Sequence, residues 1–79
     1  MALFYFALIV GLQRTDDDEG QEIPNWEAAR RAAVRSARSI MSADVLDGHL
    51  DLDGSIEVTN SNDGSTETVR FRDVIEITA

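Results

Sequence analysis

The sequence predicts an α+β fold: an antiparallel sheet of about four strands with one helix packed on one face, in the order ββαββ. Three observations carry that expectation. Residues 25–46, NWEAARRAAVRSARSIMSADVL, repeat apolar side chains at Trp26, Ala29, Ala33, Ala37, Ile40 and Met41, the three-and-four spacing of a single helix face. An apolar run, Leu3 to Val10, precedes this segment, and from Leu50 onward the apolar period becomes two. The chain has 79 residues, enough for one small domain over 1–79 with a thin core.

Leu3 to Val10 is rich in aromatic and β-branched residues, which favour strands. Phe4, Phe6 and Leu8 alternate with Leu3, Tyr5 and Ile9, so both sides of the strand are apolar. A strand of that kind is ordinarily covered twice, and one helix covers one sheet face. The Leu3/Tyr5/Ile9 side is therefore expected to meet another copy of the chain, giving a homo-oligomer. Residues 2–12 also resemble the apolar part of a signal peptide. They lack a basic n-region and a small-x-small site, however, and acids arrive at Asp16. Eleven residues also fall short of the about 20 that span a bilayer. A buried strand is the better reading, and no membrane association is expected.

Gly11 permits a turn, and Leu12 to Thr15 reads as a short second strand. Asp16 to Glu22, DDDEGQE, reads as a loop. Pro24 holds Ile23 extended, Asn25 is suited to cap the helix, and Glu27 lies where the helix dipole favours negative charge. Small residues at 29, 33 and 37 would let the helix lie close to the sheet, with Trp26, Ile40 and Met41 as larger anchors. Truncating a fully buried Trp26 would cost about 3–5 kcal/mol. The helix should end between Asp44 and Asp47, with Gly48 just beyond.

Leu50, Leu52, Ile56 and Val58 then alternate as a strand. Asp63-Gly64 reads as a two-residue hairpin loop. That register sets Val58 against Val69 and Ile56 against Phe71 on one face, with Glu57 against Arg70 and Thr59 against Thr68 on the other. Val74, Ile75 and Ile77 continue apolar, as strand or as turn.

Composition excludes several kinds of chemistry. Fifteen acids against seven bases give a net charge of −8, and every base is arginine. An Asp-rich, lysine-free chain fits a high-salt habitat or a GC-rich genome equally. Its field repels phosphate backbones and acidic membranes, so nucleic acid is not an expected partner. The absence of cysteine removes disulfides and thiolate metal sites and fits a reducing cytoplasm, the expected location.

His49-x-Asp51-x-Asp53-Gly54 overlays part of a calcium loop, but position one is His49 and position twelve is Asn60 where a bidentate glutamate is needed. A strand with solvated acids explains the same spacing, and Asp16-Asp17-Asp18-Glu19 reads as a charged surface loop. No metal site and no cofactor are expected. His49 is the sole histidine, and Ser36, Ser39 and Ser42 lie on the helix with no identifiable base. No phosphate loop or dinucleotide fingerprint occurs, so no catalytic residue is assigned and no enzyme is expected.

The arginines say more. Arg30, Arg31, Arg35 and Arg38 lie on the helix, opposed only by Glu27 through residue 43. Arg31, Arg35 and Arg38 fall opposite Ala33 and Ala37 and form an exposed basic stripe. Two readings stand side by side: a docking surface for an acidic protein partner or a phosphate backbone, or a solvated helix face supported by Glu27–Arg31 at i,i+4. The second is the commoner meaning of such a stripe.

The run Asp18-Glu19-Gly20-x-Glu22-Ile23-Pro24-Asn25-x-Glu27-Ala28-Ala29-Arg30 resembles D-x-x-G-x-E-L-P-[DN]-x-E-A-A-R, the signature of a small alphaproteobacterial family of domains of unknown function. Gly20 comes one residue early, and Ile23 replaces the leucine. The likeness extends to the aromatic strand Phe4-Tyr5-Phe6 and to Val69-Arg70-Phe71-Arg72-Asp73-Val74-Ile75, which is similar to a closing V-x-F-x-D-[AV]-[IV]. Ala7 and Ile9 stand where members often carry polar residues, which adds apolar surface and favours an oligomer. The family implies no activity. More distantly, the first hairpin, the acidic glycine loop and the E-A-A helix resemble HicB-like antitoxins, which implies toxin neutralisation and oligomers by analogy. The expected function is a non-catalytic interaction or regulatory module, with an antitoxin-like or nucleic-acid-associated regulator as the rival.

Overall fold

The computed structural model describes residues 2–78. The elements are β1 (Ala2–Val10), β2 (Gln13–Thr15), β3 (Gln21–Ile23), α1 (Trp26–Leu46), β4 (Ser55–Asn60) and β5 (Thr66–Arg70), followed by a 3₁₀ turn at Phe71–Asp73. One helix on an antiparallel sheet is the α+β arrangement the sequence predicts, with five strands rather than four.

β1 is the centre of the sheet. Along one side it pairs with β4, setting Phe6 against Val58 and Leu8 against Ile56, and β5 follows on β4. The other side is shared by β2, which sets Thr15 against Leu8, and β3, which sets Gln21 against Phe4. An unbroken ladder from Leu8–Thr15 would bring Glu19 opposite Phe4. Gln21 stands there instead, so two residues loop out of this edge. The Asp17 carboxylate shapes the loop by accepting from the N–H groups of Glu19 and Gly20, both at 3.2 Å.

Alternation divides β1 between two environments. Ala2, Phe4, Phe6 and Leu8 face α1 and join the core around Phe4, Val58 and Phe71, the largest fully buried side chains. The helix supplies Ala29, Ala33 and Ala37, all with no exposed surface, and Met41. Asn25 caps its first turn, its side-chain carbonyl accepting from the Ala28 N–H at 2.8 Å. At the other end the His49 N–H reaches the Asp44 carbonyl and the Gly48 N–H reaches that of Val45, both at 3.0 Å, with Gly48 at φ 91°. That pair of bonds is a Schellman motif, and it ends the helix inside the expected interval.

The structure corrects the sequence reading in several places, beginning with Gln21 and Glu22, which belong to β3 rather than to the expected Asp16–Glu22 loop. The β4–β5 register is displaced by two residues: Val58 faces Glu67, Ile56 faces Val69, Glu57 faces Thr68 and Arg70 faces Ser55. The loop holds four residues, Ser61 to Gly64, because only Gly64 takes positive φ. Asp63 instead accepts from the N–H and hydroxyl of Ser65, and the Asn60 side chain accepts from the Asn62 N–H. An even displacement keeps every side chain on its expected face, so only the pairs change. Phe71 lies past the strand in the 3₁₀ turn, where it is fully buried.

Residues 49–54 form no strand; Asp51 closes a turn by accepting from the Asp53 N–H at 2.9 Å. Leu52 still packs against the core, whereas Leu50 is exposed. Trp26 is half-buried rather than buried, meeting Phe4 edge-on with centroids 5.0 Å apart.

Gly54 locks the Phe71 ring in place. The Phe71 N–H donates to its carbonyl at 2.9 Å, and a Cβ on Gly54 would come within 2.7 Å of the ring. Gly54→Ala should cost about 1–3 kcal/mol through overpacking, read from chemical denaturation. Trp26→Ala should cost less than the roughly 3–5 kcal/mol of a fully buried aromatic. A Gly54→Ala protein as stable as the parent would show that the ring has room to move.

Candidate functional site

Arg31, Arg35 and Arg38 are exposed on α1, turned away from the buried alanines as their spacing predicts. Together with Val34 they line a shallow depression of about 260 Å³. Arg31 donates to Glu27 at 3.1 Å in the expected i,i+4 pair, with both side chains well exposed. Arg38 donates to the Val74 carbonyl at 2.8 Å and fastens the chain after the 3₁₀ turn to the helix. Arg35 makes no hydrogen bond or ion pair among the described residues.

Arg30, one step round the helix, forms a two-pronged pair with Glu67 of β5 at 2.7 and 2.8 Å, and its guanidinium carbon lies 5.7 Å from the Trp26 ring centroid. Glu67 shares the helix-facing side of β5 with Val69 and lies opposite Val58. The guanidinium holds the Glu67 carboxyl below the usual glutamate range, and the carboxylate raises Arg30 in turn.

The structure brings Leu3, Tyr5 and Ile9 together on the sheet face that α1 leaves uncovered. The chain covers part of that face itself. Gly20 packs so closely that a Cβ there would stand 2.9 Å from the Tyr5 ring and 3.1 Å from Leu3. Arg14 lies opposite Ile9 on β2 and Glu57 opposite Ala7 on β4, so their 2.9 Å ion pair crosses over β1. Ala7 beneath it is only 6% exposed. Sequence reasoning missed this strap because Arg14 and Glu57 are 43 residues apart. Period-two alternation was its only available signal, and that places the two groups on one face without placing β2 beside β1.

The acids of the calcium-like stretch are spent on structure. Asp53 pairs with Arg72, whose Nε also reaches toward the Leu52 carbonyl, and Asp51 closes the turn. Among the described residues no group of three or more His, Cys, Asp or Glu is arranged to hold a metal ion. A polar depression of about 470 Å³ lies where Leu52, Asp53, Ser55, Thr68, Arg70 and Arg72 meet. Arg70 there makes no hydrogen bond or ion pair among the described residues. His49 Nε2 lies 3.5 Å from Asp44 at the exposed end of the helix. No helix among the described residues is long and apolar enough to cross a membrane.

A family model described as a domain of unknown function (DUF6894) matches residues 3–72. No curated protein and no solved structure matches the chain.

The Glu67 carboxyl carries a sign that can be checked. A group whose pKa falls on folding adds stability above its ordinary value, here 4.5, and loses it as pH drops through the lowered one. Glu67→Gln should therefore lower the melting temperature near neutrality and narrow its gap to the parent as the solution is acidified below that value. Solvent screens so exposed a pair, so the difference should be small. Thermal melts of both proteins across that range check it.

Proposed function

The chain belongs to the family described as a domain of unknown function (DUF6894), and from that membership, which carries no activity, we propose that it is a non-catalytic interaction module. The observation that carries the reading is the clustering of Arg31, Arg35 and Arg38 around Val34 on an exposed flank of a chain whose net charge is −8. Cations gathered on one flank attract an acidic protein surface while the remaining surface repels it, which fixes where the partner lands.

The open sheet face serves a second copy of the chain. Leu3, Tyr5 and Ile9 remain half-exposed after the Gly20 loop and the Arg14–Glu57 pair have taken their share. Such a residue of apolar surface supports a weak, concentration-dependent dimer rather than an obligate one.

A second reading, an antitoxin-like regulator, rests on the first-strand hairpin, the acidic glycine loop and the E-A-A helix that resemble HicB-like antitoxins. It uses the same arginines. Binding to duplex DNA that weakens steeply with salt would favour it over a protein partner, against the overall negative field.

Reversing Arg31 and Arg35 to glutamate should release the native partner recovered by cross-linking from cells, with the fold intact by circular dichroism. Retention of every partner at parental yield would return the stripe to a solvated helix face. For the sheet face, Ile9→Lys should hold the protein monomeric in light scattering at concentrations where the parent self-associates; a parent that stays monomeric throughout ends the second-copy proposal.

A further inference from the structure

The sheet has one unbroken edge, β5, the opposite edge being divided between β2 and β3, and the backbone direction of β5 can be read from two hydrogen bonds. The Phe71 N–H donates to the Gly54 carbonyl and the Asn60 N–H to the Ser65 carbonyl, so the odd-numbered residues of this stretch turn their amides and carbonyls toward β4. In an antiparallel ladder, successive residues alternate in the direction of these groups. The N–H and C=O of Thr66, Thr68 and Arg70 therefore point outward, and all three residues are exposed. The strand carries no proline and no bulge, and of its two charged side chains Glu67 is drawn to Arg30 on the helix side.

Guanidinium groups bracket this edge on both faces. On the helix side, Arg30 reaches down to Glu67 of β5 and Arg38 to Val74, so the Arg30/Val34/Arg38 side of α1 is the one turned toward β5, and Arg31 and Arg35 share a depression with Val34 and Arg38 further round the helix. On the open side, Arg70 projects from β5 itself into the polar depression beside Thr68 and Ser55. Arg35 and Arg70 both lack an ion pair among the described residues, and they lie on opposite faces. A strand laid against β5 would present its alternate side chains to these two cationic surfaces in turn.

We propose that the free edge of β5 accepts an acidic extended segment of a partner protein as an added strand. The outward backbone groups of Thr66, Thr68 and Arg70 hold its main chain, and the arginines on either face select its carboxylates. A second copy of this chain is the poorer occupant. Two-fold pairing about Thr68 would turn the arginine flanks of two helices toward the same seam, and like charges brought together there oppose association. This proposal rests on the reading of the arginine flank as a docking surface for an acidic protein, and adds how the partner is held.

The test uses the full chain and a labelled peptide of about six residues, the length of an ordinary strand, with glutamates in adjacent pairs between valines so that carboxylates fall on both of its faces. Expected is saturable binding by fluorescence anisotropy, with slowed hydrogen exchange at the amides of Thr66, Thr68 and Arg70. Methylating the peptide's alternate amide nitrogens should weaken binding at least about tenfold, as loss of one or two backbone hydrogen bonds requires. Thr68→Pro should do the same, since it removes an outward donor and leaves the β4 ladder intact. Exchanging the peptide's glutamates for lysines should abolish binding. The Arg31→Glu/Arg35→Glu and Arg70→Glu variants should each weaken it.

If the methylated and unmethylated peptides bind alike while the arginine variants still weaken both, strand addition is overturned and the docking flank survives. Should the peptide fail to bind, or bind without protecting those three amides, strand addition is likewise overturned. Dependence of the native partner on Arg31 and Arg35 then judges the broader reading by itself.

Discussion

The fold depends on how closely one helix can lie on the sheet. Ala29, Ala33 and Ala37 meet it with no exposed surface at all, and a larger side chain at any of them would lift α1 away. The bulk that fills the core comes from the sheet side, through Phe4, Val58 and Phe71. Gly54 follows from the same economy of space, because Phe71 can lie flat only where the facing backbone has no side chain. Geometry also sets a limit. A 21-residue helix runs about 30 Å, whereas β1 from Phe4 to Val10 runs about 20 Å. Since Trp26 starts the helix beside Phe4, its last turns overrun the sheet, which leaves Val45 and Leu46 exposed.

Much of this was legible in the sequence, for identifiable reasons. The helix and both caps follow from local rules: Asn25 before Trp26, the alanine period, and Gly48 after Asp47. The buried side of β1 and the inward set Ile56, Val58 and Val69 follow from alternation. What alternation cannot see is a displacement by two, because period-two patterns map onto themselves. Asp63-Gly64 pointed to a tight turn, yet Asp63 gains more by accepting from Ser65 than by adopting positive φ. β3 was invisible because Gln21-Glu22-Ile23 carries too few apolar residues to show a period. The candidate site divides the same way. Arg31–Glu27 is a local pair and readable, whereas Arg30–Glu67 and Arg38–Val74 span 37 and 36 residues, beyond the reach of a local pattern.

Charge organises the surface more than the core, which buries no polar or charged side chain among the described residues. Three exposed pairs, Arg14–Glu57, Arg30–Glu67 and Arg72–Asp53, tie β2 to β4, α1 to β5, and the 3₁₀ turn to the loop before β4. Exposed pairs add little stability each. Their larger effect is to commit most arginines to internal partners, so that the cations left over fall on the helix flank and beside β5.

The two looped-out residues between β2 and β3 also fix how many neighbours the sheet can have. An edge broken in the middle and crowded by Asp16, Asp17, Asp18 and Glu19 offers no continuous template for another strand, so extension can proceed from one side only. A sheet with a single usable edge has a valence of one. It can close a pair but cannot propagate a chain of strands, and in that respect the acidic loop is a terminator as well as a turn.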